Sequence, residues 1–195
     1  AHGHVGDGEH RELVHLVVIA GVVAIRAFRG HLAGMDHPFE HDFGTGRHLD
    51  IAGERLDHLG PAAAQQTGEG IERLITLNAT APARLAAAAG ARFAQSGTGA
   101  IVNIGSVVGF APEFGMSVYG ATKAFVLFLS QGLNLELGAK GVYVQAVLPA
   151  ATRTEIWQRS GMDIDALPEV MEVGELVDAA LAGYDRGELV TIPPL

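Results

Sequence analysis

The run Gly99-Ala-Ile-Val-Asn-Ile-Gly-Ser-Val-Val-Gly109, with Ser117-Val-Tyr-Gly-Ala-Thr-Lys123 shortly after it, decides the fold and carries the chemistry. Its first part reads as a buried strand that ends in a hydroxyl, Ser106, between glycines. The second part reads as a helix opening at Ser117, a good N-cap. Ligands of open α/β sheets bind beyond the carboxyl ends of the strands, and residues four apart share one helix face. Tyr119 and Lys123 can therefore point together at whatever Ser106 touches, so that a phenol, an ammonium and a hydroxyl converge.

That grouping has a chemical use. A free tyrosine titrates near roughly 10, too high for a general base at neutral pH. A cation within about 4–6 Å favours the phenolate and lowers that value, and Lys123 is placed to supply it. General acid/base work is most efficient when the pKa lies near the working pH. A neighbouring hydroxyl steadies the oxygen that gains or loses the proton. Carbonyl reduction and alcohol oxidation need this set. Taken singly, a Tyr-x-x-x-Lys pair on a helix or a serine after a strand is ordinary structure; the order and spacing of the pieces give them weight.

At these residues the chain resembles the short-chain dehydrogenase/reductase family, whose signature is a serine after an Ile-Val-Asn strand and then Tyr-x-x-x-Lys. Asn78, in Leu-Asn-Ala-Thr-Ala-Pro, falls where that family carries a helix asparagine completing an Asn-Ser-Tyr-Lys tetrad. Pro149 and Thr154, in Val147-Leu-Pro-Ala-Ala-Thr-Arg-Thr154, match the family's Pro-Gly-x-x-x-Thr loop against the nicotinamide, with Ala150 in place of the glycine. The resemblance extends over residues 59–195. It implies hydride transfer between NAD or NADP, with NADP favoured, and a small-molecule carbonyl or alcohol. Tyr119 would act as acid/base, Lys123 would hold the nicotinamide ribose and tune Tyr119, Ser106 would bind the substrate oxygen, and Asn78 would hold a relay water. Tyr119, Lys123, Pro149 and Thr154 would contact the cofactor. Residues 153–168, with Trp157 and Met162, fall where the family places a substrate lid, and Asp163 and Asp165 there read equally as solvated loop residues.

Asn78 has an argument of its own. The alanine-rich stretch 69–93 is helical in pattern, with Thr67 as its cap, and Pro82 interrupts it. Proline removes the hydrogen bond to the carbonyl four residues back, which belongs to Asn78. A kinked helix then offers a free acceptor there, although a simple kink accounts for the proline as well.

The first 58 residues differ in kind. All nine histidines lie between His2 and His58, and both lysines, Lys123 and Lys140, lie beyond them. The family's Thr-Gly-x-x-x-Gly-x-Gly turn, where backbone N–H groups at a helix start receive a pyrophosphate, has no counterpart in the sequence. Gly3-His-Val-Gly-Asp-Gly8 is short by one residue and has no strand before it. Phe43-Gly-Thr-Gly46 follows a charged segment, and the family's Asn-Asn-Ala-Gly run is missing before Leu59. A shifted reading frame upstream of Leu59 or genuine divergence of the segment would leave such a boundary, and reading the gene in its other two frames separates the two. The sixteen residues 13–28, rich in Val, Ile, Leu and Ala, are short for a membrane span and read as a buried strand or helix. The histidine spacings complete no metal set, since Pro38 spoils the His37/His41 pair as a helix face and there is no cysteine.

A length of 195 residues with 48% apolar content suits one domain, 1–58 being the atypical segment and 59–195 the catalytic half. The net charge of −9 argues against nucleic acid. No secretory signal precedes the apolar run, which points to the cytoplasm. After residue 59 the pattern predicts a helix over 69–93, a strand over 100–105, a helix over 117–137, a strand over 142–148, a helix over 173–184 and a short strand over 188–192. Strands alternating with helices imply a parallel sheet. The expected fold is α/β, doubly wound and Rossmann-like, with an atypical or incomplete amino-terminal half. The 117–137 helix is apolar nearly all round and must be covered on most sides. A partner subunit, as in the family's homodimers and homotetramers, or the chain's own amino-terminal segment would serve. The rival to an oxidoreductase is a non-catalytic remnant, kept as a binding or scaffold module because the phosphate-binding glycines are missing.

Overall fold

The computed structural model describes residues 63–155, 157 and 163–194, together with the strand backbones of residues 14–19 and 22–27. Five strands form one sheet in chain order: β1 (Val14–Ile19), β2 (Val22–Ala27), β3 (Gly99–Ile104), β4 (Val142–Val147) and β5 (Val190–Thr191). β3, β4 and β5 run parallel, with Gly99 opposite Val142 and Val147 opposite Thr191. The apolar run 13–28 supplies two strands rather than one element. β1 pairs antiparallel with β2, and β2 pairs antiparallel with β3. Only Ala20 and Gly21 separate the two strands in sequence, a spacing that suits a tight hairpin. The sheet is thus parallel from β3 to β5 and carries the antiparallel pair β1 and β2 on one side.

Helices cover both faces, as the alternation of side chains along a strand requires. Ile101, Val142 and Val144 point to one face and pack with Ala86, Phe93, Leu133 and Leu137 of helices α2 (Ala81–Ser96) and α3 (Ser117–Leu137). Ala100, Val102 and Val147 point to the other and meet Leu176, Ala180 and Tyr184 of α4 (Val173–Asp185). Because β3 is covered on both faces, its apolar residues run without alternation.

The first helix behaves as Pro82 dictates. α1 (Gly68–Ile75) opens at Thr67, whose side chain accepts a hydrogen bond from the Gly70 amide at 3.1 Å. A π-helical turn follows over Thr76–Thr80, with the Ala81 amide bonded to the Thr76 carbonyl, and α2 begins with the proline in its first turn. Proline has no amide to donate there, and the wider turn absorbs the loss.

α3 differs from expectation at its start. Met116, not Ser117, is the capping residue and makes no side-chain cap bond. The helix is started by backbone instead, the Gly120 amide donating to the Met116 carbonyl at 2.6 Å. Its inward spine is Thr122, Val126, Ser130, Leu133 and Leu137. Phe128 and Leu135 on the opposite side are 79% and 83% exposed, so no described residue covers that apolar face.

Candidate active site

Ser106 sits just past the carboxyl end of β3 with extended backbone and caps the 3-10 turn Val107–Phe110, accepting from the Val108 amide at 3.3 Å. Its hydroxyl donates to the Pro149 carbonyl at 3.3 Å. The same carbonyl accepts the Val107 amide at 3.1 Å, and the Gly105 amide donates to the Val147 carbonyl at 2.7 Å. The loops leaving β3 and β4 are therefore laced together by backbone groups at the strand ends. A buried link within the sheet holds this edge to α3: Asn103 Nδ2 donates to Ser130 Oγ at 2.9 Å, which donates to the Val126 carbonyl at 2.7 Å. That link was absent from the sequence reading, although a lone asparagine inside an apolar strand was its visible sign.

Tyr119 lies in the first turn of α3, half-buried, with its phenol set beside Ser106. Lys123 follows one turn later. Its ammonium lies 5.5 Å from the centre of the Tyr119 ring and donates to the Ile104 carbonyl at 3.4 Å. Pro149 is buried against the Ser106 loop. The structure thus brings Ser106, Tyr119, Lys123 and Pro149 together. Asn78 stands half-buried in the π turn, which packs against α3, and among the described residues no hydrogen bond joins its side chain to the other three. Thr154 is exposed and lies outside the cluster.

The electrostatics differ from what the spacing suggested. Burial raises the Tyr119 phenol above its usual value, against a smaller lowering from the neighbouring Ser106 hydroxyl. Burial also lowers Lys123, from 10.5 to about 8. A lysine lowered in the folded chain sheds its proton before the unfolded chain does, so its burden on stability is full below about pH 8 and is relieved as pH rises toward 10. We expect Lys123→Met to be more stable than the parent at pH 7 and to lose on the order of 2 kcal/mol of that advantage between pH 8 and 10. Denaturant unfolding of both proteins across that range checks it; parallel stability profiles would contradict it.

The segment after Pro149 is tied down. Thr152 bridges Met171 in parallel, the Arg153 amide donates to the Met171 carbonyl at 2.8 Å, and the Trp157 indole donates to the Thr152 carbonyl at 2.7 Å. Arg153 pairs with both Asp165 at 2.8 Å and Glu172 at 2.9 Å. Asp165 is thus an ion-pair partner rather than a free solvated acid, while Asp163 accepts the Asp165 amide at 3.0 Å. Met162 lies outside the described residues.

Against known proteins, the family profile described as short chain dehydrogenase matches residues 52–165. The chain belongs to the short-chain dehydrogenase family. A solved short-chain dehydrogenase from Sphingobium yanoikuyae, in complex with NADPH, is 80% identical and superposes with a TM-score of 0.67, covering 69% of this chain and 53% of that one. The bulky-bulky ketone specific alcohol dehydrogenase from Comamonas testosteroni is 72% identical with a TM-score of 0.62, over 69% of this chain and 51% of its own. Among curated relatives, carbonyl reductase family member 4 of Xenopus tropicalis is 31% identical over 130 residues, 67% of this chain and 53% of that protein. The bovine very-long-chain 3-oxoacyl-CoA reductase is 41% identical over 86 residues, 44% of this chain and 28% of its own length. The chain spans about half or less of the length of these relatives.

Proposed function

We propose that this short-chain dehydrogenase chain supplies the catalytic half of an NADP-dependent oxidoreductase that reduces a bulky ketone to an alcohol. The observation that carries the reading is the Tyr119 phenol beside Ser106, with the Lys123 ammonium 5.5 Å from the centre of its ring. The residues present fit the nicotinamide end of the cofactor. Tyr119 and Lys123 keep part of their side chains accessible beside the buried Pro149, and Thr154 follows on the same loop. When bound, the nicotinamide supplies the hydride. Tyr119 donates its proton to the substrate oxygen while Ser106 holds that oxygen. The raised phenol suits this direction, because it stays protonated at neutral pH and starts as an acid. Lys123, charged below about pH 8, stabilises the phenolate left behind, and Asn78 on the π turn steadies the water that returns the proton.

NADP is favoured over NAD because the 80% identical relative was solved with NADPH. The substrate class draws on the 72% identical ketone-specific relative and on two exposed aromatics, Phe110 at 53% and Phe114 at 58%, on the segment between Ser106 and Tyr119. A cytoplasmic location belongs to the same proposal; no helix among the described residues is long and apolar enough to cross a membrane. The decisive experiment titrates NADPH against Trp157, the chain's single tryptophan. Quenching together with a raised melting temperature supports the proposal. If millimolar NADPH and NADH do neither, the second reading takes over: a binding or scaffold module that lacks the family's Thr-Gly-x-x-x-Gly-x-Gly turn.

The same proposal includes a homodimer or homotetramer built through α3, whose outward Phe128 and Leu135 lack cover among the described residues. An unpaired charge buried in such an interface is costly. Phe128→Glu is expected to shift the protein from dimer to monomer in light scattering, whereas a parent already monomeric at micromolar concentration rules the interface out.

A further inference from the structure

Two glycines outside the Asn-Ser-Tyr-Lys set meet where the Ser106 turn lies on α3. A Cβ at Gly109 would stand 2.8 Å from the Ala124 amide nitrogen and 2.8 Å from the Lys123 carbonyl carbon. Both are backbone atoms of a helix and cannot swing aside. Reciprocally, a Cβ at Gly120 would stand 3.2 Å from the Val108 carbonyl oxygen. Neither glycine has φ in the left-handed region, so conformational freedom is not what these positions require. Space is. The turn Val107–Phe110 presses its backbone against α3 from one side, and α3 leaves a gap for that backbone from the other.

We propose that Gly109 and Gly120 are positioning residues whose absent side chains let the turn after Ser106 lie directly on α3, and that this contact sets the Ser106 hydroxyl against the Tyr119 hydroxyl. The turn is three residues from Ser106 to Gly109, closed by the Gly109 amide on the Ser106 carbonyl at 3.0 Å, so a displacement at Gly109 is passed on to Ser106. On the helix, Gly120 adjoins Tyr119 itself. Ser106 and Lys123 are the polar groups set against Tyr119; only the first rides on the turn.

The inference rests on the proposed reaction for its meaning, but its test does not need turnover. The phenols are titrated by ultraviolet difference spectroscopy, with the Tyr119→Phe protein subtracted to isolate Tyr119 from Tyr143 and Tyr184. In Gly109→Ala the Tyr119 phenol should titrate at higher pH than in the parent, because the displaced turn carries away the Ser106 hydroxyl that lowers it. Gly120→Ala should move it the same way by less, since a neighbour 3.2 Å away yields more easily. Gly132→Ala, on the same helix with nothing within 4 Å of its Cβ, should leave it unchanged. In a Ser106→Ala background, adding Gly109→Ala should bring no further shift, as two changes acting through one hydroxyl do not add. Where the parent turns over, Gly109→Ala should lower kcat by up to about a hundredfold, the scale of an ångström-level misplacement, with KM for NADPH nearly constant. An unchanged Tyr119 titration in Gly109→Ala, or in Gly120→Ala should the first variant not fold, overturns the proposal. So does a full extra shift on top of Ser106→Ala. A parent without turnover would defeat the proposed reaction and leave the titration to decide the positioning role.

Discussion

Replacing Tyr119 by phenylalanine is expected to slow ketone reduction by at least about a hundredfold, the low end of what a positioned acid/base contributes. The substitution removes one oxygen from a ring already packed in the first turn of α3. It deletes the hydroxyl beside Ser106 and leaves the ring in place. NADPH affinity and the unfolding midpoint should therefore change little, which separates lost chemistry from lost structure. Steady-state kinetics on purified protein decide the matter: a variant with near-normal kcat would end the role assigned to Tyr119.

Gly141→Ala is expected to destabilise the fold by about 3 kcal/mol or more, through a mechanism unrelated to the site. Gly141 ends the 3-10 turn Gly138–Lys140 with φ of 78°, and Gly97 ends α2 with φ of 71°. The two reversals touch, so that a Cβ at Gly141 would overlap the Gly97 carbonyl oxygen. Each lies within two residues of a strand start, Gly99 and Val142, which are paired across the sheet. Alanine there meets an unfavourable φ and immovable backbone at once. Equilibrium unfolding in urea measures the loss, and a midpoint equal to the parent's would show that the contact is less tight than described.

How much of this could be read from the sequence depended on which atoms carried the information. Side-chain pattern carried the helices and strands after residue 67, whose observed limits lie within three residues of those expected. It also carried the interruption at Pro82, because a missing amide has one structural consequence. The hairpin of β1 and β2 was not legible, since an unbroken apolar run has no period to tell strand from helix. Nor was the lacing of the two loops, which runs through the carbonyls of Val147 and Pro149 and would look the same for most side chains. The raised Tyr119 was missed for a third reason: spacing placed Lys123 on the correct face, but only packing determines how deeply the phenol is buried. For Arg153, Asp165 and Glu172 the opposite charges were in plain view, and the bend that joins them was not.

The π turn ahead of Pro82 sets the phase of everything around it. Buried positions along α1 and α2 run Leu74, Ala79, Pro82, Ala86, Gly90 and Phe93, an interval of five residues followed by intervals of three and four. A regular helix of 3.6 residues per turn would have put the next inward position after Leu74 at residue 78. The turn behaves as a one-residue insertion that rotates Asn78 away from the core by about 100°. Deleting Leu77 would bring Ala79 to the fourth position after Leu74, the interval that keeps two residues on one face of an α-helix, so α1 and α2 would run on as one regular rod with Leu74 and Ala79 still inward.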